Sequence, residues 1–220
     1  MDIPSGLLPT SHLWTATLVY VVLLAVALLS APWAKIRDNE ASHVYFAAVA
    51  VVAILWTLRA GIEPGLNYHL LGVTALCLMF DWQFALLAVS LVLLITTWQG
   101  PAGWEAFGVN SLLMGALPVL STRLLLAVSQ RRLPHNFFIY IFINSFLAAA
   151  LAILLCGLAA TLVHSLASGN TAGPASDYLL YLPMLMFGEA FLNGMVMTLL
   201  VAYRPRWVAT FHDRWYLDGK

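Results

Sequence analysis

The chain has 220 residues, of which 62% are hydrophobic and only 9% charged, and its mean hydropathy is +0.87. A soluble domain carries roughly a quarter charged residues, so this composition excludes one and indicates an integral membrane protein. The formal net charge of zero gives no electrostatic basis for a nucleic-acid partner.

Seven stretches are candidate membrane spans, because a spanning helix needs about 20 mostly apolar residues. In chain order they cover residues 13–31, 43–58, 68–80, 84–98, 110–128, 137–166 and 178–203. The third is short because Asp81 ends it, and a re-entrant segment is the alternative there. The predicted fold is therefore all-α, a bundle of about seven transmembrane helices with lipid around it.

The basic residues predict which way this bundle faces. Short cytoplasmic loops are enriched in Lys and Arg. With seven spans, eight basic residues fall on one side, which places the C-terminus in the cytoplasm and the N-terminus outside. Arg59, at an outer helix end, is the exception. The eight are Lys35, Arg37, Arg131, Arg132, Arg204, Arg206, Arg214 and Lys220.

The first twelve residues differ from the rest of the chain. Pro4, Gly6 and Pro9 make this segment rich in turns and not helical. No basic residue precedes the first span, so the segment does not have the form of a secretory signal and is predicted to be retained. We expect one transmembrane domain over 1–220. Within it, 1–12 folds into the outer face, 13–203 forms the bundle and 204–220 is a cytoplasmic tail.

Two polar residues lie deep in the last span. Glu189 and Asn193 are one helical turn apart, on one face of that helix. Ionisable groups inside a bilayer are costly, so they mark functional candidates. A hydrogen-bonded Glu that holds two helices together is the structural alternative. Asn144 and Asn110 are candidate partners for it.

His69 begins the short third span, close to Asn67 and Glu63 on the predicted outer side. Imidazole is a common ligand for nickel, cobalt, copper and zinc, although a single His is more often a capping or packing residue. Cys77 and Cys156 lie inside apolar runs and are predicted to be buried core residues. No H-E-x-x-H, G-x-S-x-G or Walker-type pattern occurs, so no enzyme activity is predicted and ATP hydrolysis would need separate subunits.

Four segments resemble the CbiM/NikM-type cobalt and nickel permeases, the substrate-capturing components of energy-coupling-factor ABC transporters. The start Met1-Asp2-Ile3-Pro4-Ser5-Gly6-Leu7 resembles the family's Met-His-Ile-Pro-Asp-Gly-Phe. Tyr68-His69-Leu70-Leu71-Gly72 is similar to Gly-His-Leu-Leu-Gly, and Phe107-Gly108-Val109-Asn110 with Met114 is similar to Leu-Gly-Ala-Asn with a following Met. Gly188-Glu189-Ala190 is similar to the Gly-Glu-Ala of the last helix. The resemblance covers nearly the whole chain.

The resemblance implies a metal site made by the N-terminal amine, residue 2 and the His of the Gly-His-Leu-Leu-Gly segment. Carried over residue by residue, the expected ligands are Met1, Asp2 and His69, with Asn110, Glu63 and Asn67 around them. The implied function is capture of a divalent transition metal for ATP-driven uptake through the bacterial inner membrane. A transmembrane coupling protein and ATPase subunits are the implied partners.

Asp2 departs from the family pattern, which has His at that position. A carboxylate is a harder ligand than imidazole, so cobalt and nickel remain implied by the resemblance while zinc, manganese and iron become alternatives. Asp2 also motivates a second hypothesis, a capture or accessory membrane protein for a non-metal solute on the same scaffold. A third is an intramembrane enzyme that uses Glu189 with Asn193.

Overall fold

A computed structural model describes residues 1–63, 66–100, 103–169, 174–212 and 216, without the side chains of 62, 63, 66 and 174–177. Six helices there are long and apolar enough to cross a membrane. A short antiparallel hairpin, β1 (Ala60–Glu63) and β2 (Leu66–Tyr68), lies mainly between the predicted spans 43–58 and 68–80. The helices are α1 (Thr10–Ser30), α2 (Asn39–Thr57), α3 (Val73–Gln99), α4 (Trp104–Arg132), α5 (Phe137–Ser168) and α6 (Pro174–Tyr203).

The expected fourth span and residues 73–80 of the expected third span lie within α3, which is broken at Asp81. The prediction was wrong for residues 68–72, because Tyr68 belongs to β2 and residues 69–72 are not helical. This residue has φ 71° and ψ 168°, so the backbone is not helical there. Its carboxylate accepts a hydrogen bond from the Trp82 N–H at 2.8 Å and lies 3.7 Å from the Arg123 guanidinium. A short polar side chain of this kind tolerates a positive φ better than a bulky one.

Contacts at the two ends of α3 show where its halves run. Residues 73–80 begin beside Trp56 and end at the C-terminal segment, where the Ala209 N–H donates to the Met79 carbonyl at 2.9 Å. Residues 82–99 begin beside the end of α1, where Gln83 contacts the Ser30 carbonyl at 3.5 Å, and end beside Arg59. The chain therefore reverses near Asp81. The count of seven crossings, and which end of the bundle faces outward, remain predictions.

The core is built mainly on α3, because the share of buried residues is higher in α3 than in the other five spanning helices. The largest fully buried side chains include Trp56, Tyr20, Phe84, Tyr140 and Tyr178. By contrast, α1 exposes large apolar side chains such as Trp14, Leu18 and Leu29, as expected for a surface that contacts lipid instead of water. Cys77 and Cys156 are buried free thiols, as predicted.

Two helices contain π-helical turns, at Leu112–Ala116 in α4 and Tyr140–Leu147 in α5. A π-turn leaves part of the regular backbone hydrogen bonding open to other donors. In α4 the Leu113 carbonyl accepts a hydrogen bond from the Cys156 thiol, with 3.0 Å between the sulfur and the oxygen. These turns lie where α4 and α5 contact each other in the interior.

Candidate metal centre

The N-terminal residues are buried in the bundle. Met1 and Ile3 have no exposed surface, and Asp2 is 6% exposed. Asn110 on α4 holds this segment in place, because its side-chain oxygen accepts the Ile3 N–H at 2.7 Å and its amide donates to the Ile3 carbonyl at 3.1 Å. This two-way contact reproduces the pairing that a neighbouring β-strand would supply, so it fixes the path of the chain at residues 1–3.

The Met1 amino group lies against β2. It donates to the main-chain carbonyl of Asn67 at 2.5 Å and also to the side-chain oxygen of Asn67. Burial lowers the pKa of this amino group from 8.0 to about 5, against the opposing effect of Asp2. At neutral pH the amine is therefore uncharged and has a lone pair that can bind a metal ion.

His69 follows β2 and is 3% exposed. Its Nδ1 lies 3.3 Å from the Leu70 carbonyl, an arrangement in which Nδ1 carries the proton and Nε2 keeps its lone pair. The imidazole packs on Trp56 with ring centroids 5.0 Å apart. Burial lowers the pKa of His69 and so favours the neutral ring, although the contact with Asp2 acts in the opposite direction. A neutral, oriented imidazole is the form that binds a metal.

Asp2 faces His69 across a short gap. The His69 Nε2 atom and the Asp2 Oδ1 atom are 3.7 Å apart, and neither has a hydrogen-bond partner among the described residues. Burial raises the pKa of Asp2, but His69, the amino group and Arg59 together outweigh it, so the pKa lies below its usual value. Two buried polar atoms that face each other without a hydrogen-bond partner cost folding free energy, unless a bound atom or ion between them interacts with both.

Arg59 completes the immediate surroundings of Asp2. Its guanidinium forms an ion pair with the other Asp2 oxygen, Oδ2, and its Nε donates to the Trp56 carbonyl at 2.8 Å. Arg59 appeared in the sequence only as the exception to the charge distribution. Its position next to Asp2 explains that exception, because a basic residue at this end of α2 is compensated by a buried carboxylate.

The backbone around His69 is anchored by the last helix. Both oxygens of Glu189 accept main-chain N–H groups, one from Leu71 and one from Gly72, each at 2.7 Å. Asn193, one turn further along α6, donates to Glu189 at 2.8 Å and accepts the Ala75 N–H at 2.9 Å. Leu71 and Gly72 directly precede α3, and the Glu189 carboxylate satisfies main-chain donors there that would otherwise have no partner.

The prediction that Asn110 or Asn144 is the hydrogen-bond partner of Glu189 was wrong. Asn110 pairs with Ile3 instead, and both polar atoms of Asn144 have no hydrogen-bond partner in the described part of the chain. The Glu189 hydrogen bonds instead go to main-chain groups that sequence alone does not distinguish from others. They correspond to the structural alternative, a carboxylate that joins two helices.

The structure brings Met1, Asp2 and His69 together, with Asn67 and Asn110 in contact with the N-terminal segment. The Glu63 side chain lies outside the described residues. No group of three His, Cys, Asp and Glu side chains that could hold a metal occurs among the residues described. A metal site at this place would therefore need the main-chain amine of Met1 as its third donor, beside the side chains of Asp2 and His69.

Gly108, in the segment Phe107-Gly108-Val109-Asn110, lies where α4 packs closely against α1. A Cβ at this position would lie 2.5 Å from the Thr17 Cα and 2.7 Å from the Thr17 main-chain nitrogen. Only glycine lets α4 approach α1 this closely, and the approach places Asn110 beside Ile3.

Comparisons with known proteins identify the family of the chain. A family model described as "Cobalt uptake substrate-specific transmembrane region", CbiM, matches residues 2–207. The chain belongs to the CbiM family. It is thus a multi-pass membrane component of metal uptake, in a family of transporters that work as several subunits.

Two solved structures share the fold. One is a truncated transition metal transporter, with a TM-score of 0.76 and 20% sequence identity, over 92% of this chain and 99% of that one. The other is a transition metal transporter, with a TM-score of 0.73 and 19% identity, over 92% and 93% of the two chains. Among curated proteins, none matches the chain.

Proposed function

We propose that the chain captures one divalent transition metal ion at the site formed by Met1, Asp2 and His69. The observation that carries this proposal is the pair of buried atoms, His69 Nε2 and Asp2 Oδ1, that face each other at 3.7 Å without a hydrogen-bond partner in the described residues. A metal ion between them would accept both lone pairs. The neutral Met1 amine, which is close enough to interact electrostatically with Asp2 and His69, supplies a third donor.

The donor set limits which ions are candidates. An amine, an imidazole and a carboxylate oxygen suit a borderline transition metal better than Mg²⁺ or Ca²⁺, which prefer oxygen ligands alone. Family membership favours cobalt or nickel. The Asp2 oxygen keeps zinc, manganese and iron as candidates.

Transport needs an energy source that this chain does not provide. We propose that the chain works in the bacterial inner membrane, with its metal site outward, beside a transmembrane coupling protein and ATPase subunits of the energy-coupling-factor type. The absence of a Walker-type pattern from the sequence supports separate ATPases. The hydrogen bonds of Glu189 to Leu71 and Gly72 support a structural role for that residue and not an enzymatic one.

The ion pair of Asp2 with Arg59 favours an alternative, in which the same scaffold captures a non-metal solute. A carboxylate that already holds a guanidinium binds a further cation less strongly. Stabilisation of the purified protein by an organic solute, together with no response to divalent metals, would support this alternative.

The test is a calorimetric titration of purified protein that keeps Met1 as its first residue. We expect Co²⁺ or Ni²⁺ to bind to the wild type at one ion per chain and binding to be lost in His69→Ala. His12→Ala is the matched control, because His12 is exposed on α1 and should bind metal as the wild type does. Equal binding by wild type and His69→Ala would refute the site.

A further inference from the structure

Arg59 is held in one position by two fixed contacts. Its Nε donates to the Trp56 carbonyl near the end of α2, and its Nη1 contacts Asp2 Oδ2. The Arg59 side chain is 21% exposed and that of Asp2 is 8% exposed, so water screens this pair only in part. A guanidinium stays protonated at any physiological pH, so the positive charge is permanent.

The two oxygens of the Asp2 carboxylate have different neighbours. Oδ2 is occupied by Arg59, while Oδ1 faces His69 Nε2. Only one Asp2 oxygen, Oδ1, is therefore available to bind a metal ion at the site. The charge of the carboxylate is also compensated before any ion arrives.

We propose that Arg59 determines the metal selectivity of the site, by restricting Asp2 to one oxygen and cancelling its charge. This inference rests on the proposed function. Hard ions such as Mn²⁺ and Mg²⁺ are held chiefly by carboxylate charge and oxygen ligands. Ions such as Ni²⁺ and Co²⁺ gain more from the amine and the imidazole. Arg59 therefore weakens the binding of hard ions more than it weakens the binding of nitrogen-preferring ions.

The test compares Arg59→Gln and Arg59→Lys with the wild type in titrations with Ni²⁺, Mn²⁺ and Mg²⁺. Removal of the charge should tighten Mn²⁺ binding by about tenfold or more, with a smaller gain for Ni²⁺, because a repelling cation is removed and the second Asp2 oxygen is released. Arg59→Lys keeps the charge and should stay near the wild type. Lys35→Gln removes an exposed charge elsewhere and should change neither affinity.

A second comparison tests the effect of the Arg59 charge without an unpaired carboxylate. Asp2→Asn leaves the Arg59 charge uncompensated, so this variant should bind Mn²⁺, and to a smaller extent Ni²⁺, more weakly than the double variant Asp2→Asn with Arg59→Gln does. The comparison does not use the single variant Arg59→Gln, so it decides the question if that variant unfolds in detergent. Equal affinities for the single and double variants would overturn the inference.

The outcomes separate the inference from the proposed function. If the wild type binds metal through His69 and Arg59→Gln has the same Mn²⁺ and Ni²⁺ affinities, Arg59 does not set selectivity and only the inference fails. If Arg59→Gln binds metal through His69 while the wild type binds none, the effect of Arg59 is confirmed and metal capture by the native chain is refuted. If neither protein binds metal, both fail.

Discussion

The carboxylate of Glu189 accepts the main-chain N–H of Gly72 at 2.7 Å, which ties the last helix to the turn that follows His69. Gly72 has φ 66°, a left-handed conformation that glycine adopts without strain. Residues 69–72 therefore keep their path through contacts on α6, far away in the sequence.

This contact predicts the effect of Glu189→Gln. The variant replaces one buried acceptor by a donor that faces another N–H, which costs about 1–3 kcal/mol of unfolding free energy. We expect a lower melting temperature in detergent and weaker metal binding through displacement of His69. Glu105→Gln is the control, because Glu105 is exposed. An unchanged melting temperature in Glu189→Gln would show that these hydrogen bonds do not stabilise the fold.

Asn110→Ala should release the N-terminal segment. The variant loses both hydrogen bonds to Ile3, each of which contributes roughly 1 kcal/mol, and leaves buried main-chain groups unpaired. Hydrogen exchange should show faster exchange of the Ile3 amide, and titration should show weaker metal binding. Asn39→Ala, at an exposed position of α2, should change neither. A protected Ile3 amide in Asn110→Ala would contradict this role.

Gly108→Ala should destabilise the bundle, since its Cβ would meet the Thr17 backbone. Forced overpacking of this kind costs about 1–3 kcal/mol. Gly61→Ala is the matched control, because nothing lies within 4 Å of a Cβ there. Thermal unfolding in one detergent compares the two. The same melting temperature for both variants would mean that α1 and α4 do not approach as closely as described.

A Gly-Ser extension before Met1 should abolish or strongly weaken metal binding while the helices stay folded. The extension converts the buried amine into an amide, and it must also displace the contact with Asn67. The same extension at the C-terminus is the control and should bind metal as the wild type does. Full affinity in the N-terminally extended protein would exclude the Met1 amine as a ligand.

Much of the fold could be predicted from hydropathy alone, because long apolar runs identify spanning helices directly. The break in α3 was also visible, since Asp81 interrupts an apolar run. Sequence did not show that 73–80 and 82–99 would be joined at a single residue with a positive φ. Hydropathy predicted no element between the spans 43–58 and 68–80, where most of the β1–β2 hairpin forms.

The candidate site was predicted less completely. Met1, Asp2 and His69 were named through the resemblance, and the structure places them together. The parts that sequence reasoning missed are pairings over long sequence separations, such as Arg59 with Asp2 and Glu189 with the N–H groups of Leu71 and Gly72. The one signal for Arg59 was its position against the positive-inside distribution. A buried counter-charge is one physical reason for such an exception.

Metal analysis of protein purified with Met1 as its first residue, from cells supplied with Co²⁺ or Ni²⁺, decides whether the chain captures a metal ion through His69. We expect about one ion per chain in the wild type and in His12→Ala, and almost none in His69→Ala, with all three proteins equally folded. A wild type without metal, or a His69→Ala protein that retains one ion per chain, would contradict metal capture at this site.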